Sequence, residues 1–294
     1  MCNLAQDDNE ENTMKKIFIS VVFALIISMS LSAQVSLNNP ENSYELELSY
    51  ELGAVKVLKN TLQVGENSTN FNFVTQGGEE ILFPIERYSG NLSLGGRHNI
   101  VLLYQPLEIV TNVTFREEVT IDTTTFDKGE DLRVTYGFPF WRLSYLYDFV
   151  DNGKLELAAG VSLQLRNASI VFESLSDGSL SVGQNLGPVP VIKARGSYRF
   201  DNGFFAGAEV DGFYATSAFF NGADFEFAGS ILDASLRAGL ELRDNTDAFL
   251  NLRFLGGHAE GVSEYEDRFW SQSISDYTAN YLSSISLSLG FNLR

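Results

Sequence analysis

The sequence predicts an all-β fold, a closed antiparallel up-and-down barrel of about ten strands, and three observations carry the prediction. The stretch Ile192 to Tyr214 reads as two legs of strict apolar–polar alternation around Asp201-Asn202-Gly203, a three-residue hairpin turn with glycine at the left-handed position. Similar alternation recurs through most of the chain, and the connections between its segments are short and long by turns. Nothing beyond residue 33 is helical enough to lay a second layer over an apolar sheet face. In the Ile192–Tyr214 hairpin the turn sets Phe200 against Phe204, Tyr198 against Ala206, Arg195 against Glu209 and Lys193 against Asp211. Charges of opposite sign meet on one face and apolar residues share the other. An apolar face with no protein to cover it meets lipid, which makes the predicted barrel a transmembrane one.

Composition agrees. The chain of 294 residues is 44% hydrophobic and 20% charged, and its mean hydropathy of -0.03 suits strands that are half polar. A formal net charge of -18 argues against nucleic acid as a partner. The single cysteine, Cys2, precedes the targeting segment, so the mature chain has neither a disulfide nor a thiolate to use.

Three segments are expected. Residues 1–13 are acidic and aperiodic, an upstream extension if Met14 is the start. Residues 14–33 read as a signal peptide: Met14-Lys15-Lys16, an apolar run from Ile17 to Met29, and small residues at Ser30-Leu31-Ser32-Ala33. Residues 34–294 form the single barrel domain.

The first strand places Tyr44, Leu46, Leu48, Tyr50 and Leu52 opposite Glu45, Glu47, Ser49 and Glu51. A long polar stretch, Lys59 to Glu80, leads to the second strand, Ile81 to Leu94. Gly95-Gly96-Arg97 turns into the third, His98 to Phe115. An acidic segment, Arg116 to Glu130, precedes the fourth, Asp131 to Phe149, whose apolar phase moves from even to odd numbers near Pro139. A β-bulge there would account for the shift and the proline. Asp151-Asn152-Gly153 turns into the fifth strand, where Leu155, Leu157, Ala159, Val161, Leu163 and Leu165 alternate cleanly. A Ser- and Gly-rich loop, Glu173 to Gly187, leads to the sixth and seventh, the Ile192–Tyr214 hairpin. After Ala215 to Gly229 comes the eighth, with Leu232 to Leu242 against Asp233, Ser235, Arg237 and Glu241. The ninth runs from Ala248 to His258. A last loop, Ala259 to Asp276, precedes the tenth, with Ile285, Leu287, Leu289, Phe291 and Leu293 opposite serines. Short turns follow the even strands and long loops the odd ones. With both termini in the periplasm, this is the outer-membrane pattern. Tyr147, Phe149, Tyr198, Phe200, Phe204 and Phe291 fall where a periplasmic aromatic girdle belongs.

Expected inward positions include Glu45, Glu47, Glu51, Arg87, Arg133, Arg142, Arg166, Lys193, Arg195, Arg199, Glu209, Asp211, Asp233, Arg237, Glu241 and Arg253. Charges of both signs inside a ten-stranded barrel imply an ion-pair network, centred on Lys193, Arg195, Glu209, Asp211, Asp233, Arg237 and Arg253, that rigidifies and mostly closes the lumen. A narrow pore for small solutes is the alternative. No metal-ligand pattern, phosphate-binding loop or nucleophile elbow occurs, so no cofactor or metal is expected. Of the two histidines, His98 lies beside a turn. His258 follows Gly256-Gly257 near the outer mouth and is the one candidate for a rim hydrolase, but no His-x-Ser or Asp-x-His pair accompanies it. Glu117, Glu118, Asp122, Asp127, Glu130 and Asp131 read as a solvated loop face, with divalent cations bridging to lipopolysaccharide as the alternative.

Ala159-Gly160-Val161 to Arg166-Asn167-Ala168, Ser197-Tyr198-Arg199-Phe200, Ile231-Leu232-Asp233-Ala234-Ser235-Leu236, the Gly256-Gly257 pair and Arg97-His98 to Tyr104-Gln105-Pro106-Leu107 together resemble a porin-like family of Gram-negative outer-membrane β-barrels. About two-thirds of the chain shares the likeness. It implies fold and location, and no catalytic residue transfers with it. The terminal Arg294 departs from the aromatic end common to such barrels, here displaced to Phe291. The partners implied are outer-membrane lipid and lipopolysaccharide, with barrel assembly machinery and periplasmic chaperones during biogenesis.

Overall fold

The computed structural model describes residues 44–217, 225–243, 245–263 and 277–294. The signal peptide expected at 14–33 and the extension at 1–13 lie outside them, as does most of the last long loop. Among the described residues fifteen strands run in chain order. β1 (Tyr44–Val64) is joined by the two-residue β2 (Phe71–Asn72), and β3 (Leu82–Leu94) turns into β4 (His98–Gln105) and β5 (Glu108–Thr114). A small hairpin, β6 (Val119–Ile121) and β7 (Thr124–Phe126), precedes β8 (Asp131–Gly137) and β9 (Phe140–Asp151). Then follow β10 (Leu155–Ser174), β11 (Leu180–Arg199), β12 (Phe204–Thr216), β13 (Phe225–Arg243), β14 (Thr246–Ser263) and β15 (Tyr277–Leu293).

These strands close a cylinder. Each wall pairs with its sequence neighbour, β1 pairs with β15, and β10 pairs with β11. Counting β4 with β5 and β8 with β9 as single interrupted walls, the barrel has ten antiparallel walls. Leucines from all round it point outward and stay exposed, among them Leu52, Leu143, Leu163, Leu236, Leu250 and Leu287 at 46–63%. Closure leaves no sheet edge over the paired rows, and the apolar outer face needs lipid to cover it. The molecule is an outer-membrane-type β-barrel. Aromatic rings run round part of the belt, where Tyr50, Tyr88, Tyr104 and Trp141 follow one another at 5.1, 6.3 and 4.4 Å. Tyr198 and Phe200 meet edge to face at 4.8 Å at the short-turn end. Gly203, with φ at 83°, makes the turn between β11 and β12 in the left-handed region that only glycine adopts freely.

Three expectations change. First, no bulge lies at Pro139. β10 keeps one register from Glu173↔Arg133 through Ser169↔Gly137 to Arg166↔Phe140. The pleat is unbroken, and Leu132, Val134 and Tyr136 face inward with Arg142, Ser144 and Asp148. What shifts is the chemistry of the lumen, apolar at the long-loop end and polar below. By the same pleat Arg133 faces outward, in register with Glu173, and is removed from the inward set. Register shifts do occur elsewhere: in β1 between Val57 and Lys59, on β9 at Phe149 opposite Leu157 and Ala158, and at the end of β13 between Glu241 and Arg243. Second, Glu173 to Gly187 is mostly strand, and β10 and β11 pair as far as Glu173↔Leu180. Third, the polar stretches 59–80 and 116–130 are not wholly solvated. Phe71, Phe73 and Phe126 from them are fully buried, packed in the mouth of the barrel with Phe115, Tyr136 and Phe172.

Candidate functional site: an aromatic plug and an ion-pair layer in the lumen

Bonds from the β1 wall seat the upper closure. Thr61 and Leu62 pair with Asn72 and Phe71, and the bulge at Leu58 turns Asn60 inward. The Asn60 carbonyl accepts the Phe73 N–H (3.0 Å), and its side-chain amide donates to Glu79 Oε2 (3.0 Å). Thr111 donates to the Gly77 carbonyl from the β5 side. The rings then stack edge to face: Phe71 lies 5.0 Å from both Phe73 and Phe172, and Phe73 lies 5.2 Å from Tyr136. The β6–β7 hairpin folds over this plug, held by the Thr69 N–H on the Thr120 carbonyl (2.9 Å) and the Asp122 N–H on the Val64 carbonyl (3.1 Å). Glu117, one of the acids expected in solution, accepts from Gln76 at 2.6 Å. Among the described residues, the buried cluster draws on β1 to β10, β14 and β15 and takes nothing from β11, β12 or β13. Glu79 is 1% exposed, in the loop before β3 and outside the membrane-spanning strands; burial pushes its carboxyl up to about 7, against the smaller opposing effect of the Asn60 hydrogen bond.

Below the plug the lumen turns ionic. Arg142 Nη1 lies 2.9 Å from Asp233 and 3.1 Å from Asp211, and its Nη2 donates to Gln164 at 2.6 Å. Lys193 bridges Glu209 (2.7 Å) and Asp211 (2.9 Å). Arg253 reaches Asp233 at 3.3 Å, and Arg87 reaches Glu209, Asp233 and Glu51 at 3.5–3.7 Å. Arg237 lies 3.7 Å from Glu51 and covers the Phe249 ring at 4.7 Å. Arg142, Lys193, Asp211 and Asp233 are at most 2% exposed. Burial of that kind is tolerated because each charge has at least one opposite partner and most have two. Hence Lys193, Glu209, Asp211, Asp233, Arg237 and Arg253 come together with Arg142, Arg87 and Glu51. Arg195 does not join them. It sits opposite Glu209 in the β11–β12 register, yet its guanidinium turns toward the short-turn end, 2.5 Å from Glu156 and 3.9 Å from Asp148. Lys193 has already taken Glu209.

At the short-turn end a polar cavity of about 370 Å³ opens, lined by Glu47, Asn99, Asp148, Arg195, Arg199 and Asp247 among others. Its charges are largely matched: Arg199 and Arg294 both hold Asp247, at 2.9 and 2.8 Å.

The histidines stand apart. His98 Nδ1 lies 2.8 Å from the Tyr145 hydroxyl on the outer face. His258 also faces outward, because β14 keeps Asn251, Arg253 and Leu255 inside and runs without a register shift from there to Ser263. Among the described residues Glu260 is its one ionic partner, at 3.7 Å, and nothing orients the ring toward a nucleophile. No cluster of three metal-ligating side chains occurs among the described residues.

The plug was hard to foresee, since its phenylalanines are spaced singly through polar sequence. Their one signal was the spacing of two phenylalanines about a single polar residue, as at Phe71-Asn72-Phe73.

No family model matches the chain, and no curated protein matches it. Among solved structures it is similar in fold to the outer membrane protease OmpT of Escherichia coli, at 12% identity and a TM-score of 0.44, covering 84% of this chain and 96% of that one. It is also similar to a FadL homologue of Pseudomonas aeruginosa, at 9% identity and a TM-score of 0.33, covering 85% and 89%. A third likeness is to the outer membrane protein OprG of P. aeruginosa, at 7% identity and a TM-score of 0.31, covering 86% and 96%. All three are likenesses of fold alone; the closed antiparallel cylinder and its exposed leucine belt are those of an outer-membrane-type β-barrel.

Proposed function

We propose that this outer-membrane β-barrel is non-enzymatic and holds its lumen closed, by the aromatic plug at the long-loop end and the ion-pair layer beneath it. The supporting observation is the near-complete burial of Arg142, Lys193, Asp211 and Asp233 in mutual contact in mid-barrel. A ten-stranded barrel is barely wider than its own side chains, and here those side chains are locked to each other. Outer-membrane lipid covers the leucine belt, lipopolysaccharide surrounds its outer rim, and barrel assembly machinery with periplasmic chaperones delivers the chain. A rim hydrolase built on His258 has no support from its outward placement. The narrow pore requires solute to pass the ion-pair layer. Liposome swelling with arabinose decides between pore and closed barrel: vesicles carrying the protein should swell no faster than empty ones. Swelling that grows with protein content would overturn the closed lumen.

A further inference from the structure

Three features converge at the edge of the plug, where the buried cluster ends on β10 and β11 begins. The first is a seam. Along β11, odd residues direct their N–H to β10 and even ones to β12: the Arg199 N–H donates to the Lys154 carbonyl, and the Phe200 N–H to the Phe204 carbonyl. Neither ladder shifts register in between. Pro188 and Pro190 are even, so the donors they lack are the ones owed to β12. The β10–β11 ladder accordingly runs on through Leu165↔Pro188 and Leu163↔Pro190 to Glu173↔Leu180. The β11–β12 ladder stops at Ile192↔Gly212, and beyond it the two strands no longer lie side by side. β12 itself continues to Thr216, paired with β13 alone.

The second feature is the height of the seam. Its prolines share rows with Leu163 and Leu165, 46% and 49% exposed on the lipid-facing side, and with Trp141. The seam therefore begins within the apolar belt. Four residues of strand, 188–191, give it a length of roughly 13 Å, enough for one alkyl chain.

The third is Arg166. It projects inward from β10, two rows above the Arg142–Gln164 contact and opposite Gly187. Its guanidinium lies over the Phe138 ring at 5.9 Å. Among the described residues it has no carboxylate partner, and its Nε is buried without a hydrogen bond. Every other lumen arginine on this level or below has an acid. A buried N–H without an acceptor is costly, and an anion placed on the guanidinium would relieve it.

We propose that the seam between β11 and β12 admits the alkyl chain of a single-chain anionic amphiphile from the outer leaflet, with its head group bound by Arg166 above the ion-pair floor. Val189 and Val191 on β11 and Phe213 on β12 line the way in on the lumen side. Phe138 and Ile170 give the chain an apolar wall, and Arg142, already committed to Asp211 and Asp233, closes the pocket below. The site is blind because the ion-pair floor lies beneath it, and in this it rests on the closed-barrel reading; photolabelling reads the capture of the alkyl chain and liposome swelling reads the floor, so the two can fail separately.

The test uses the whole protein in phosphatidylcholine nanodiscs and dodecanoate carrying a diazirine at the tail end, photolysed and mapped by mass spectrometry. Saturable adducts are expected on 188–191 or 213–216, displaced by dodecanoate and at least tenfold less well by dodecanol. Arg166→Gln should weaken capture tenfold or more, and Arg166→Lys should restore part of it, with heat-dependent gel mobility showing both variants folded. Pro188→Val with Pro190→Val restores the two donors and should slow hydrogen exchange across 213–216 while cutting capture. Adducts unchanged in Arg166→Gln, adducts confined elsewhere, or none that saturate would each overturn the site. Slow exchange at Tyr214 and Thr216 in the unaltered protein would overturn the seam.

Discussion

Asp211 shows how much of this molecule is decided by single side chains. It is fully buried and holds both Arg142 (3.1 Å) and Lys193 (2.9 Å). Asp211→Asn leaves two cations sharing the remaining acids, and breaking such a buried pair costs about 3–5 kcal/mol. Urea unfolding in detergent, followed by heat-dependent gel mobility, should show a lowered midpoint. The Lys193–Asp211 register was legible because the three-residue turn at Asp201-Asn202-Gly203 fixes every row above it. The choice between Arg195 and Lys193 for Glu209 was not, since it depends on which walls face each other across the lumen. Glu79 carries a different prediction. Its carboxyl, raised to about 7 in the docked plug, returns to the ordinary value of about 4.5 when the loop swings out. The contribution of the neutral form to docking is complete below about pH 4.5 and is lost as pH rises through 7, by roughly 3 kcal/mol in all. Protease cleavage within 66–80 should therefore be faster at pH 8.5 than at pH 6, and Glu79→Gln should flatten that difference.

The elements tell the same story from the pleat. Alternation found nearly every wall, because a strand facing lipid on one side and charge on the other writes its phase plainly. The reading failed where the lumen itself becomes apolar. On β8, Leu132, Val134 and Tyr136 are inward, on β9 Leu143, Tyr145 and Tyr147 are outward, and a change of lumen chemistry imitated a change of register. β10 and β11 outran their predicted ends because the serines and glycines of Glu173 to Gly187 read as a loop, although Leu180, Val182 and Leu186 keep a strand's alternation. The β2 segment is too short to show a period at all. Phe73→Ala removes the ring that meets Phe71, Tyr136 and Phe172. It should cost about 3–5 kcal/mol, and hydrogen exchange should show the 65–80 loop opening while the barrel walls remain protected.

At the scale of the whole molecule, two solvents shape one sheet: lipid outside, and a lumen graded from aromatic to ionic inside. The lipid side can be checked at Trp141, 49% exposed on the belt. With Trp270 changed to phenylalanine, its emission should be quenched by brominated lipid and little affected by aqueous acrylamide. The graded lumen is the central claim, and planar-bilayer recording tests it most directly, on three proteins side by side. The unaltered protein and a variant shortened across 66–80 should both be silent, because the ion-pair layer still bars the way. The same shortening combined with Arg142→Ala and Lys193→Ala should give discrete conductance steps. Steady channels from the unaltered protein, or from the plug-shortened one alone, would contradict a lumen closed twice.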